Sequence, residues 1–407
     1  MLKPRSTLVL ALAIMILVTP ASSANAQADK SDNVALIARF PYKTEDTPFN
    51  AGGTDIAFSG DFAYAAEQGW EGSTGGVHIY DLSGPIPKHV SFVRCGGWQN
   101  DVAVVKPGLI ALGYHQGRFN CGTELGGVTL IDVKNPRRPK ILGSTTEALA
   151  PDPDPASGYY LGAHTITAYP GKPIIYASPG GRQMQSKAIE TIIDVSDPGK
   201  PRVVARFDSG IGCHDFTFDI REERQIGLCA GPGETQVWDV SDPLAPTIIG
   251  HIVNPLHNFH HSVAVSSDGR YAVIGTETAG NDCAGGPSGA LFIYDISDPA
   301  AAVPLGYFGA PRGPHPVFAY GQPGPAGDCA AHLFNLIPGT QIVVSGNYWG
   351  GMSVVDFSDP LRPKELAHYS EPGLEYWTAY WHDGRIYANG FNGFDAFEVE
   401  GIAATSS

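Results

Sequence analysis

Six times along this chain a short, β-branched run ends in an acid, an aliphatic or aromatic residue and a polar residue, most often followed by Asp-Pro and a second Pro. The copies read VHIYDLSGPIP (77–87), VTLIDVKNPRRP (128–139), TIIDVSDPGKP (191–201), TQVWDVSDPLAP (235–246), LFIYDISDPAAAVP (291–304) and MSVVDFSDPLRP (352–363). A degenerate seventh, FDAFEVEG (394–401), puts Glu398 where the others carry Asp81, Asp132, Asp194, Asp239, Asp295 and Asp356. The step between these acids averages roughly 53 residues, the span of a propeller blade and too long for most helical solenoids. Each run is rich in Val, Ile, Tyr and Phe and stops where proline cannot continue a ladder. The acid ahead of that turn can accept backbone N–H groups, so the repeat acids are read as structural.

Between the repeats the text is equally regular. After the second Pro comes an outer strand such as RVVARFDS, then a channel-side strand (DIAF, DVAV, HTITAY, HDFTF, HSVAV, HLFNL, TAYW), a tight turn, and a further strand such as YAVIG. Four antiparallel strands per unit, seven units and no convincing helix predict an all-β, single seven-bladed β-propeller. The last unit has three strands before the chain ends. Its missing outer strand is expected at the other terminus, where ALIARFPY (35–42) matches VVARFDS (203–209) and could pair with FDAFEVE to remove exposed edges.

The strands TLIDV, TIIDV and SVVDF resemble the LVIVD-repeat family, whose name describes this aliphatic-Asp pattern. The resemblance spans nearly the whole chain after its N-terminal segment and implies a propeller in exported or surface proteins. It supplies no substrate. Units 1 and 7, with DLSGP and FEVEG, depart from the pattern at the closure point.

Residues 1–26 read as a signal peptide: Lys3 and Arg5 lead, Thr7 to Val18 is apolar, and Ala24-Asn25-Ala26 offers a cleavage site after Ala26. The propeller is expected over 27–401 and a flexible tail over 402–407, with the protein periplasmic or secreted. No later segment is an apolar run long enough for a transmembrane helix. Losing Lys3 and Arg5 takes the formal charge from −15 to −17, which disfavours nucleic acid as a partner. The expected partner is a small-molecule substrate or ligand, and the expected state a monomer or weak dimer.

Six cysteines in an exported chain read first as disulfides. Strand topology favours the pairs Cys95–Cys121, Cys213–Cys229 and Cys283–Cys329 among the possible connectivities. Cys213 as a copper thiolate ligand beside His214 is the alternative.

Aligning the seven channel-side strands places Thr54, Asn100, His164, His214, His261, His332 and Trp377 at one position. Histidine is 13 of 407 residues, so four in successive units far exceeds its background frequency. Sevenfold geometry would converge these imidazoles at the channel mouth. Neutral imidazoles without thiolate suit one transition-metal ion, Fe, Cu or Zn. The arrangement is similar, in architecture alone, to that of seven-bladed carotenoid-cleaving oxygenases, where four histidines from separate blades hold a non-haem iron. The plainer alternative is a repeated channel histidine that hydrogen-bonds the neighbouring blade.

Carboxylates should orient such ligands. Asp55, Asp101, Glu67, Glu124 and Glu277 are candidates, whereas Asp215, next to His214, should alternate to the other face. Glu67, Glu277, His115 and Tyr348 sit at strand ends suited to catalysis; Asp55, Asn100, Asp101, His260 and Trp377 should line the pocket. His260 and His261 exchange on a one-residue slip. Tyr159, Tyr160, Phe259, Phe318 and Tyr320, in long loops, and Trp349 could wall it. The favoured reading is a metal-dependent enzyme, an oxidoreductase or oxygenase acting on a small organic substrate, with hydrolase or lyase chemistry as the nearest competitor. The alternative is a non-catalytic propeller that binds a protein, glycan or small ligand through the same face.

Overall fold

The computed structural model describes residues 28–42, 52–69, 75–97, 99–115, 121, 127–147, 149, 162–179, 189–257, 259–277, 286–311, 318–319, 322–323, 330–391 and 393–402. The signal segment, Cys283, Cys329, Glu124, Tyr159, Tyr160, Tyr320 and the Phe318 side chain lie outside them. No helix occurs among the described residues, and so none that could cross a membrane.

The strands assemble as the repeat demands. Unit 1 runs inward to outward as Gly52–Ser59, Phe62–Gln68, Gly76–Asp81 and Lys88–Arg94, each antiparallel to the last. Four more such sheets have inner strands Asp101–Lys106, Ala163–Ala168, Asp215–Ile220 and His260–Val265. A nine-stranded sheet holds the sixth and seventh blades, joined where Leu333–Leu336 pairs in parallel with Thr378–His382 through two residues. Each inner strand packs against the next, and Thr378–His382 packs against Gly52–Ser59, so the ring is closed.

The repeat acids do the turn work their position implies. Asp81, Asp132, Asp194, Asp239, Asp295 and Asp356 each accept the N–H two residues on, at 2.8–3.0 Å. The hydroxyl and then the N–H of Ser83 and Ser297 hold Asp81 and Asp295 below the usual carboxylate range, and the N–H and then the hydroxyl of Ser196 and Ser241 do the same for Asp194 and Asp239. Glu398 accepts no such bond; it faces Arg385 at 3.4 Å instead.

Apolar burial lies between blades, not within them. Tyr64 and Ile79 of the first blade pack with Ile110 and Leu112 of the second, and Tyr176 of the third with Phe216 and Trp238 of the fourth. The seventh such layer joins Tyr387 and Phe394 to Ile56 and Tyr80, across the closure. Every blade is therefore covered on both faces.

Closure is made by Val34–Phe40 against Gly393–Val399, from Val34↔Val399 to Phe40↔Phe394. Arg39 locks it with bonds to the buried Asp395, one at 2.8 Å, and a contact to Glu371. The chain adds something the repeat pattern does not announce: Asp29–Lys30 pairs with Ser370 and Tyr369 at the outer edge of the sixth blade. The N-terminal stretch thus bridges two blades.

A chain beginning at Pro41 lacks the closing strand and leaves the edge of Gly393–Val399 unpaired. It is expected to aggregate on expression or to lose its cooperative thermal transition. A soluble monomer with the parent Tm would show that closure is dispensable.

Candidate metal centre

The inner strands open with irregular registers that decide which side chains reach the axis. Pairing shifts between Gly53 and Ile56, between Ala163 and Thr165, and between His260 and Val263. A bulge there lets two successive residues face inward where strict alternation allows one. In the fourth and sixth blades the histidine stands just ahead of its strand, held by His214 N–H to Ala230 O at 2.6 Å and His332 N–H to Gly346 O at 2.9 Å. The outcome is one cavity of about 20 Å³ lined by all seven aligned residues, Thr54, Asn100, His164, His214, His261, His332 and Trp377. That is room for a single water or a metal ion.

The imidazoles are in mutual contact. Ring centroids lie 4.2 Å apart for His164–His214, 4.0 Å for His214–His261 and 4.0 Å for His261–His332. His164 Nε2 is 2.8 Å from His214 Nε2, and His164 Nδ1 is 2.9 Å from His115 Nε2. Burial, and then the neighbouring imidazoles, lower the pKa of His164 to about 4 and that of His214 well below its ordinary value. Burial takes His261 down to about 3 and His332 well below the usual range. All four are neutral at pH 7.

Neutrality fixes two tautomers. His261 Nδ1 is 3.1 Å from the carbonyl of His332, and His332 Nδ1 is 2.9 Å from the carbonyl of Trp377. A carbonyl only accepts, so each Nδ1 carries the proton and each Nε2 is left with a bare lone pair. His261 Nε2 is buried without a hydrogen-bond partner, and Glu277 Oε2 stands 3.5 Å away. The buried lone pair of His261 Nε2, beside a carboxylate, is one that a proton or a cation would satisfy. Ligand atoms of His214, His261 and Glu277 all lie within 4.8 Å of one another.

The remaining candidates divide. Tyr348 donates its phenol to Glu277 Oε1 at 2.6 Å and stacks on His332 at 4.5 Å, so Glu277 and Tyr348 join the histidines. His115 stands behind His164, in contact with its far nitrogen. Glu67 is a correction: it does not line the cavity but binds His78 Nε2 at 2.7 Å, because strand pairing carries its side chain outward along the first blade. His260 is another. The bulge gives the inward place to His261, and His260 bonds Thr235 at 2.8 Å and stacks on His257 at 3.6 Å.

Asp55 and Asp101 do line the cavity, spent on Tyr380 at 2.9 Å and on the N–H of Ile166 at 2.6 Å. Asp215 was expected on the opposite face. It sits instead with these two inside the channel, where burial, opposed by its hydrogen bond to the Phe216 N–H and reinforced by Asp55, raises its pKa to about 7. Strict alternation fails because His214 precedes the regular strand. Cys95–Cys121 and Cys213–Cys229 are disulfides, so Cys213 is not a thiolate ligand.

Sequence reasoning missed Gln99. It lines the cavity with φ +62°, and its buried Oε1 has no partner. Its only sequence signal is adjacency to Asn100; left-handed backbone at a glutamine is not legible from residue type.

Residues 191–209 and 339–371 match the LVIVD repeat, two of the seven units. No curated protein matches the chain. Among solved structures it is similar to hydrazine synthase of Kuenenia stuttgartiensis, at 12% identity and TM-score 0.62 over 89% of this chain and 99% of that one. The WD40 repeats of RRP9 align at 10% identity and TM-score 0.60, covering 92% of this chain and all (100%) of that one. The WD40 β-propeller domain of Doa1 aligns at 11% and 0.57, over 91% and 99%. At such identities these likenesses establish the propeller fold alone.

Buried neutral histidines make stability depend on pH. His257, whose pKa burial and His260 lower to about 2, must take up a proton on unfolding, where its pKa is about 6.5. Its contribution is therefore fully present above pH 6.5 and is lost as pH falls toward 2, at about 1.4 kcal/mol per pH unit. His257→Gln should remove one such increment from the slope between pH 6 and 5, measured by urea denaturation of chelator-treated protein. Equal slopes would refute the assignment. The raised carboxylates act in the opposite sense but are common to both proteins.

Proposed function

We propose that this propeller, which carries LVIVD repeats, is an exported metal-dependent enzyme of the oxidoreductase class, acting on a small organic substrate at the mouth of its channel. The observation that carries the reading is the buried Nε2 of His261, which has no hydrogen-bond partner and stands 3.5 Å from Glu277 Oε2. The residues present fit a first-row transition metal. His164, His214, His261 and His332 would hold it, with Glu277 beside them, and their donor set of imidazole nitrogens and one carboxylate suits iron, copper or zinc.

When bound, such an ion supplies Lewis acidity and, for iron or copper, an exchangeable electron. The chain supplies the rest. The carbonyls of His332 and Trp377 hold the Nδ1 protons of His261 and His332, which orients both rings and keeps their Nε2 lone pairs inward. Glu277 Oε2 would accept a proton from an incoming hydroxyl or amine, a reading supported by the Tyr348 phenol's bond to Oε1 at 2.6 Å. The rings of Tyr348 and Trp377, 4.5 and 4.6 Å from His332, exclude water from that side. The two disulfides are compatible with an oxidising compartment, where an exported protein would acquire its metal outside the cytosol.

Elemental analysis of the protein purified from the periplasm or medium should find close to one transition-metal ion per chain. His214→Ala should abolish it while leaving the propeller folded, since that ring stands in the cavity wall, where it faces His164 Nε2 at 2.8 Å. His332→Ala should abolish it too, and cost about 1 kcal/mol from the lost bond to the Trp377 carbonyl. Protein that arrives metal-free and takes up none on titration would sink the proposal.

A further inference from the structure

The outer half of the first blade holds two histidines that the central cavity does not use. His78 lies on Gly76–Asp81 and His89 on Lys88–Arg94, neighbouring antiparallel strands. Plain alternation would put them on opposite faces, because His78 pairs with Phe92, three residues from His89. The ladder shifts register between Ile79 and Tyr80, so His89 pairs with Tyr80 and shares the face of His78. Every blade has this shift between its last two strands, yet no other carries a histidine at either place. The pair is not an inheritance of the repeat.

The bonding within this group is directional. His78 Nδ1 is 3.1 Å from His89 Nε2, and His78 Nε2 is 2.7 Å from Glu67 Oε2. A carboxylate accepts, so His78 Nε2 carries a proton and, in the neutral ring, Nδ1 is left as a lone pair turned toward His89. Neighbouring rings fix that aim: Tyr42 stacks on His78 at 4.4 Å with the planes 8° apart, and Phe92 lies at 4.3 Å. Burial, and then His78, hold His89 below its ordinary pKa, so it too offers a neutral nitrogen. Glu67 is buried, whereas His89 is exposed, and none of the three lines the histidine cavity.

We propose that His78 Nδ1 and His89 Nε2 form a second, solvent-open site for a divalent first-row metal ion, with Glu67 as the residue that orients His78. Metal–imidazole bonds of about 2.0–2.1 Å set two neighbouring ligand nitrogens roughly 2.9 Å apart at a right angle and roughly 3.4 Å apart at the tetrahedral angle. The observed 3.1 Å lies between these values, so the ion needs little movement of either ring. A carboxylate on the far nitrogen is the usual support of a ligating imidazole. Without metal, one proton bridges the two nitrogens; an ion takes that place once His89 carries its proton on Nδ1. Water completes the coordination on the exposed side. Nitrogen ligands without thiolate bind Cu(II) more tightly than Zn(II). Held by only two protein ligands, the ion is exchangeable, unlike one enclosed in the buried cavity.

Copper(II) is titrated into chelator-treated, tag-free protein carrying His214→Ala, so that the cavity does not contribute, and nitrogen hyperfine structure in the EPR spectrum counts the imidazoles on the ion. His89→Ala added to this background should remove one bound Cu(II) and its two-imidazole signal, with Tm unchanged because the side chain is exposed. Glu67→Gln keeps the shape of the side chain and an acceptor for His78, and should weaken the same ion by about ten- to hundredfold. Undiminished binding after His89→Ala overturns the site. Undiminished affinity after Glu67→Gln overturns the orienting role. A parent that takes up only the ion lost with His89→Ala would defeat the metal reading of the cavity and leave this inference standing.

Discussion

The free edge of each inner strand is the constraint on which the rest depends. Near the axis most neighbouring blades diverge too quickly for their strands to form a shared ladder, yet backbone groups there are buried and need partners. Side chains of each blade supply them to the next. Thr54 reaches the Asn100 carbonyl, Asp101 the Ile166 N–H, Thr165 the His214 carbonyl and Thr217 the Val263 carbonyl. Ser262 reaches the His332 carbonyl, Asn335 both the carbonyl and N–H of Trp381, and Thr378 the Thr54 carbonyl, which completes the circle. Seven sheets become one body through these rungs and the apolar layers outside them.

Two of the four histidines belong to the same system. His261 and His332 each give Nδ1 to a neighbouring blade's carbonyl, so a role in holding blades together and an inward lone pair are two ends of one ring. The architectural bond sets the tautomer; the tautomer makes Nε2 available. His164 and His214 instead face each other, and the cavity's electrostatics follow from crowding neutral imidazoles where charging any of them is opposed by burial. The site is thus built from the propeller's own closure chemistry, with the three unmatched blades left to form a different wall.

Much of this was legible before any coordinates. Aspartate before a proline turn, repeated at near-constant spacing, specified the turns at Asp81 through Asp356, and a homologous fragment at 35–42 specified the closing strand. The four histidines were visible because a repeat converts sequence alignment into spatial equivalence. Glu67, Asp215 and His260 were misplaced for one reason. Period-two alternation assumes a regular strand, and these side chains lie at strand ends or bulges where register shifts re-aim them.

The sequence by itself therefore determined the number of blades, their order, the terminal strand that seals them and the ring position of each histidine, because repetition encodes topology directly. Only the tertiary structure decided which of His260 and His261 faces the axis, which nitrogen of each ring carries the proton, and that Glu277 rather than Glu67 stands opposite. It alone exposed Gln99. Those outcomes depend on bulges, on carbonyls contributed by the next blade and on a strained backbone angle, none of which is a property of residue type or spacing.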